Sequence, residues 1–258
     1  MTNESTIEKL HRMKLSGMER AFREILRGGI SGQYTQDEII AHLVDSEWDD
    51  RYNRKLNYLL KKARFRYQAS FESLDFNANR NLDKNLFLRF SNCDWLRKKE
   101  NIIITGATGV GKSYLASALG NLACKNGFKV IYFNVIKLFS KLKYSKADGS
   151  YMKELGWILK QDLLILDDFG LDPLDNQSRL ILLEIIEDRN GNKSTVITSQ
   201  LPVKNWFDAI GDATIADAVC DRIIHSAHKI ELKGESMRKY YGGRKFSDQI
   251  LDETCHLP

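Results

Sequence analysis

Proline is scarce in this chain. It occurs as Pro173, Pro202 and Pro258 and nowhere before residue 173, so the first two-thirds can hold long uninterrupted helices. Long apolar runs are missing too. None reaches the roughly 18 residues that a membrane span requires. The polar start Met1–Leu10, with Glu4 and Glu8, lacks the apolar stretch of a secretion signal. The expectation is a reduced, cytoplasmic protein with no membrane partner. Cysteine is sparse and unpaired in sequence: Cys93, Cys124, Cys220 and Cys255 lie far apart, which argues against a disulfide framework or a zinc knuckle. His225 and His228 are three residues apart without a companion ligand, and read as a polar helix end rather than a metal site. No internal repeat or low-complexity tract occurs. A strong charge excess is also absent: 39 Lys and Arg face 34 Asp and Glu, for a net +5. That balance permits a nucleic-acid partner without requiring one.

What is present is enough for a buried core and for one domain of ordinary size plus a smaller one, in 258 residues. Residues 5–28 read as one helix, with Ile7, Leu10, Lys14, Met18, Phe22 and Ile25 at three- and four-residue steps and Gly28-Gly29 ending it. A second helix opens at Thr35. Thr35 and Glu38 have the spacing of a capping box, in which each side chain satisfies the other's free backbone amide. Its pattern runs on, with a break allowed, to Ala63. Residues 71–92, rich in Asn and Asp, read as a connector with a short helix near Leu82–Phe90. The domain boundary is expected between residues 70 and 80, giving a helical domain 1–75 and a second domain 76–258.

From Asn101 the texture changes. Strands are expected at Ile102–Thr105, Lys129–Phe133, Leu163–Leu166, Ser194–Thr198 and Lys229–Leu232. Helices are expected at Lys112–Lys125, Val135–Tyr144, Tyr151–Leu159, Asn176–Asp188, after Pro202 and around Ile215–His225. Alternation of this kind predicts an α/β domain whose parallel sheet is flanked by helices on both faces.

Gly106-Ala107-Thr108-Gly109-Val110-Gly111-Lys112-Ser113 fits the phosphate-loop pattern at every fixed position, after a strand and at the opening of a helix. Composition alone would produce that pattern in about one chain in a hundred of this length. Its glycines let backbone amides close around phosphates, and the helix beginning at Lys112 turns its positive end toward them. Lys112 would neutralise the β- and γ-phosphates, and Ser113 would be a Mg²⁺ ligand. The run from Gly106 through Tyr114 is therefore the predicted ATP site. Leu163-Leu164-Ile165-Leu166 forms a buried type of strand that ends in Asp167 and Asp168. Such a strand aims its carboxyl end at the ligand crevice. Asp167 would hold Mg²⁺, and Asp168 would orient or activate the attacking water.

These motifs resemble a known family when taken with Thr198-Ser199-Gln200-Leu201-Pro202, Ala216-Asp217-Ala218-Val219-Cys220-Asp221-Arg222-Ile223 and Leu232-Lys233-Gly234-Glu235-Ser236-Met237-Arg238. The chain is similar, over nearly its whole length, to the IstB-like helper ATPases of bacterial transposition, within the AAA+ ATPases that include the DnaC-type helicase loaders. The resemblance implies an AAA+ fold in which Ser194–Thr198 lies between the P-loop strand and the Asp167 strand. It implies a polar sensor at Thr198, Ser199 or Gln200, with Ser199 and Gln200 favoured. Arg222 would be an arginine finger acting on a neighbouring subunit's site, which requires a homo-oligomer. Arg238 would sense the γ-phosphate. Asp168 stands where the wider AAA+ pattern usually has glutamate, one methylene longer, so slow hydrolysis is expected until a partner closes the site.

Arg51, Arg54, Lys55, Lys61, Lys62, Arg64 and Arg66 form a basic run with no acidic residue, and aromatic residues are interleaved with it. On one helix, Arg51, Lys55, Lys62 and Arg66 fall along one side. That side could track a phosphate backbone, or could be a solvated face beside Glu47, Asp49 and Asp50. The family resemblance favours duplex DNA, bound without sequence readout, and a cognate transposase as partner. A helicase loader is the alternative from the binding-factor class. A small-molecule kinase sharing the phosphate loop is a third reading, and no acceptor-pocket signature accompanies it.

Overall fold

The structure, a computed structural model, describes residues 2–28, 35–74 and 81–237. It divides into two compact units, Met1–Lys61 and Lys62–Pro258.

The first unit is built from α1 (Asn3–Arg12), α2 (Ser16–Gly28) and α3 (Gln36–Ala63). The single helix expected over residues 5–28 is two helices. Lys14 adopts a left-handed φ of 58°. Its amide bonds to the His11 carbonyl, and the Leu15 amide reaches back to Leu10 at 3.0 Å. This is a helix-ending Schellman pattern, usually signalled by glycine. Here lysine fills the position, so the apolar spacing runs through the break unmarked. The capping box at the start of α3 forms as expected: the Thr35 amide donates to Glu38 Oε2 at 2.7 Å, and the Glu38 amide donates to Thr35 Oγ1 at 3.3 Å. No interruption occurs in α3 after that.

Helices α2 and α3 meet at Gly17, where a Cβ would stand 2.2 Å from the Ser46 carbonyl oxygen. Glu47 fastens the crossing. Its Oε2 accepts the Gly17 amide at 2.8 Å and the Met18 amide at 3.3 Å, which are free donors in the first turn of α2. Its other oxygen takes Arg51 Nε at 2.6 Å.

The second unit is organised by a five-stranded sheet of β1 (Asn101–Gly106), β2 (Val130–Asn134), β3 (Leu163–Phe169), β4 (Ser194–Ser199) and β5 (Ala227–Leu232). Its order is β2-β3-β4-β1-β5, and every pairing is parallel. The strand at Ser194 therefore does lie between the P-loop strand and the aspartate strand. The helices are α4 (Lys84–Phe90), α5 (Asp94–Arg97), α6 (Lys112–Lys125), α7 (Val135–Ala147), α8 (Tyr151–Leu159), α9 (Asn176–Arg189), α10 (Trp206–Ile210) and α11 (Ala213–Ile224). The α5 turn has no counterpart among the sequence expectations.

Side chains alternate across each strand. Ile103, Ile131, Leu164, Leu166 and Ile197 join one core with Leu138, Leu155, Ile185, Trp206 and Val219 from α7 to α11. On the other face Ile165 reaches α6 at Gly120, against which Phe65 also packs. Strand β3 runs three residues further than its apolar run. Its ladder with β4 shifts register between Leu166 and Phe169, so both aspartates sit in the irregularity.

Candidate nucleotide site

The loop between β1 and α6 has the backbone that its glycines predict. Gly106, Gly109 and Gly111 have φ of 147°, 87° and 102°. A side chain would be excluded for space as well. A Cβ on Gly106 would meet the Leu232 carbonyl oxygen at 2.4 Å, and one on Gly109 would meet Ser236 Oγ at 2.1 Å. The chain after β5 thus closes on the loop, and the Met237 amide donates to the Gly109 carbonyl at 2.9 Å. This contact is the structural outcome of the Leu232–Met237 motif. Arg238, the predicted γ-phosphate sensor, lies outside the described residues.

Val110 is fully buried and anchors the loop. Lys112 is 6% exposed, and its Nζ donates to the carbonyls of Gly106 and Ala107, each at 2.8 Å. The lysine therefore curls into the concavity of its own loop, where an anion would compete with those carbonyls for it. Positive-φ glycines, an in-pointing ammonium and a helix N-terminus together suit a polyphosphate. Thr108 Oγ1 donates to Gln200 Oε1 at 2.7 Å, which brings one predicted sensor residue onto the loop.

Asp167 is fully buried. Thr198 Oγ1 donates to its Oδ1 at 2.5 Å, and Tyr132 donates its hydroxyl to Oδ2. Asp168 has φ of 63°, a conformation that costs a non-glycine residue about 1 kcal/mol and often marks a functional site. Its amide, released from the sheet ladder, donates to Thr198 Oγ1 at 3.0 Å, and its Oδ2 accepts Asn134 Nδ2 at 3.2 Å. Asn134 also caps α7 through the Lys137 amide, so the cap and the site share one side chain. Burial first, and then the adjoining Asp167 charge, push the Tyr132 hydroxyl well above its ordinary range, which keeps it a neutral donor.

Sequence reasoning missed Tyr132 and Asn134. Both are on β2, and only strand pairing brings β2 beside Asp167. Among the three sensor positions, Ser199 faces away: its hydroxyl donates to the Phe169 carbonyl and accepts the Leu201 amide, fully buried. Thr198 and Gln200 are the residues that reach the aspartates and the loop. Tyr114, at the end of the predicted ATP run, hydrogen-bonds Ser73 at 2.7 Å and stacks at a tilt on Tyr67.

Arg66 departs most from its expected place. Helix α3 ends at Ala63, and Arg64 takes a left-handed φ of 56°, so Arg66 leaves the line of the basic face. Its Nη1 lies 3.3 Å from Asp167 Oδ2 and 3.1 Å from Asp168 Oδ2. Arg51 pairs with Glu47, and Arg54 with Asp50, on their own helix. Lys55, Lys61, Lys62 and Arg64 are exposed. Arg222 donates to the Ala218 carbonyl at 2.7 Å and to Glu187 on α9 at 3.0 Å. His225 pairs with Asp221 and His228 with Glu100, and no metal-holding cluster of His, Cys, Asp and Glu occurs among the described residues. No described helix is long and apolar enough to cross a membrane.

A strand inserted between the phosphate-loop strand and the aspartate strand is the arrangement of the AAA+ ATPases, and this chain is an ATPase of that class. It belongs to the IstB-like ATP binding protein family, whose model matches residues 8–243. It is 46% identical over 234 residues to "Putative insertion sequence ATP-binding protein y4pL" of Sinorhizobium fredii, covering 91% of this chain and 96% of that relative. Among solved structures it resembles DnaI, with a TM-score of 0.56 and 24% identity over 69% of this chain and 94% of that one. It also resembles the DnaC helicase loader, with a TM-score of 0.51 and 23% identity over 71% of this chain and 99% of that one. At these identities the two structures speak for the fold alone.

Proposed function

We propose that this chain is the ATP-dependent helper of a transposase, assembling as a homo-oligomer on duplex DNA in its ATP state and presenting a target site for insertion. The reading is carried by the near full-length match to a relative named for an insertion sequence, together with a phosphate loop after β1 and two carboxylates at the end of β3 in the same parallel sheet.

In this reading the loop amides and the start of α6 bind the β-phosphate, and Lys112 gives up the Gly106 and Ala107 carbonyls for phosphate oxygens. Ser113 and Asp167 would hold Mg²⁺, which when bound neutralises charge on the β- and γ-phosphates. Tyr132 and Thr198 keep Asp167 in one rotamer. Asp168, supported by Asn134, receives the proton of the attacking water. Gln200, next to Thr108, is the polar side chain that would report the γ-phosphate. Arg222 would serve the site of an adjacent subunit, exchanging Glu187 for the transferring phosphoryl group. Lys55, Lys61, Lys62 and Arg64 would meet DNA phosphates in the region 1–75, without reading bases.

Electron microscopy of the chain with ATP, Mg²⁺ and duplex DNA tests this, and ordered multimers are the expected result. Monomers throughout, or a preference for single strands together with capture of a replicative helicase, would replace it with the loader reading.

A further inference from the structure

The Arg66 contact joins two segments that are more than a hundred positions apart in sequence. It is not a loose surface pair. Asp167 is wholly inside the protein, and its Oδ2 already accepts Tyr132. A buried carboxylate next to a second carboxylate needs a cation close by. Arg66 is that cation. The segment carrying it is fastened along α6. Phe65 packs where a Cβ on Gly120 would come within 2.4 Å, Glu72 pairs with Lys125 at 2.9 Å, and Ser73 bonds Tyr114 at 2.7 Å. Tyr67 lies under the guanidinium, 5.5 Å from ring centroid to Cζ.

We infer that Arg66 is a positioning residue of the nucleotide site: its guanidinium takes up Asp167 Oδ2, an oxygen of the carboxylate that would hold Mg²⁺ with Ser113, and it must give that oxygen up when Mg²⁺ and ATP are loaded. The inference rests on the nucleotide reading above. Two cations cannot share Asp167 Oδ2 cheaply, because like charges a few ångströms apart repel and the acceptor is already filled. Exchange therefore raises the Mg²⁺ concentration needed for tight nucleotide binding. It also restrains the aspartates until the metal arrives. Exposure of 43% at the Arg66 side chain leaves the guanidinium room to swing toward solvent.

The test is calorimetric titration of a non-hydrolysable ATP analogue over a range of Mg²⁺ and in EDTA, with wild type, Arg66→Gln and Arg66→Lys. Circular dichroism would first confirm that all three are equally folded. In Arg66→Gln the Mg²⁺ needed for half-maximal tightening should fall about fivefold or more, the scale of site-to-site couplings. Affinity in EDTA should stay unchanged, and Arg66→Lys should track wild type. In the unmutated chain, hydrogen exchange across residues 64–74 should rise only when Mg²⁺ and analogue are present together. An unchanged Mg²⁺ midpoint with no change in exchange overturns the inference, as does weaker analogue binding by Arg66→Gln in both arms. Wild type that binds no analogue under any condition overturns the nucleotide reading itself, and this inference with it.

Discussion

Thr198 stands between the two acidic residues of the site: its hydroxyl donates to Asp167 Oδ1 at 2.5 Å and accepts the Asp168 amide at 3.0 Å. One oxygen thereby fixes both a buried carboxylate and the left-handed backbone of the residue after it. Thr198→Val keeps the shape and removes both bonds. Leaving those partners unsatisfied should cost about 1–3 kcal/mol of stability. ATP turnover should fall about tenfold while nucleotide binding persists. Thr198→Ser, which keeps the hydroxyl, should recover most of both, as read by thermal unfolding and phosphate release.

Lys112 and Asp168 should separate binding from chemistry. Lys112→Ala removes the ammonium that the loop holds inward and is expected to abolish nucleotide uptake in calorimetry. Asp168→Asn keeps size and the hydrogen bond from Asn134 but cannot take a proton. It should bind ATP normally and turn it over about a hundredfold more slowly or worse. Equal turnover by Asp168→Asn would move the role of base elsewhere.

Arg222 is tethered to Glu187 within its own chain, 3.0 Å away. If it acts across a subunit junction, that tether must be given up on assembly. Arg222→Ala should lose about a thousandfold of the DNA-stimulated ATPase rate, the range of known arginine fingers, while ATP affinity changes little. Glu187→Gln should leave the rate intact or raise it slightly. An unaltered rate in Arg222→Ala under assembling conditions would sink the trans-acting role.

Glu47 makes the first unit sensitive to acid. Burial opposes its charge, but the Arg51 guanidinium and the Met18 and Gly17 amides prevail and hold its carboxyl below the ordinary 4.5. A lowered folded pKa means that the stabilisation is complete above the unfolded value and is lost as pH falls through the folded one. Glu47→Gln should therefore destabilise the helical unit by about 1–3 kcal/mol at neutral pH. The gap to wild type should close as pH is taken below about 4. Chemical unfolding followed by helix signal at several pH values would measure it.

Short-range patterns carried much of this protein in its sequence. The phosphate loop was legible because its chemistry needs glycines, a lysine and a hydroxyl at fixed spacing in one continuous stretch. The capping box at Thr35 was legible for the same reason, and so were the limits of α6 and α8, which match their expected ranges residue for residue. The apolar run before Asp167 announced a buried strand because parallel strands hide both faces.

What depended on partners distant in the chain was decided only by tertiary structure. Lys14 ends α1 because its backbone adopts a left-handed turn that no glycine advertises. Tyr132, Asn134 and Thr198 reach the aspartates because β2 and β4 flank β3, an order that spacing alone cannot specify. Arg66 reads as one more member of a basic helix until the helix stops at Ala63 and the turned chain carries it to two carboxylates. A side chain's charge is written in the sequence. The groups that it meets are chosen by the fold, because only the fold sets which surfaces are taken out of water together.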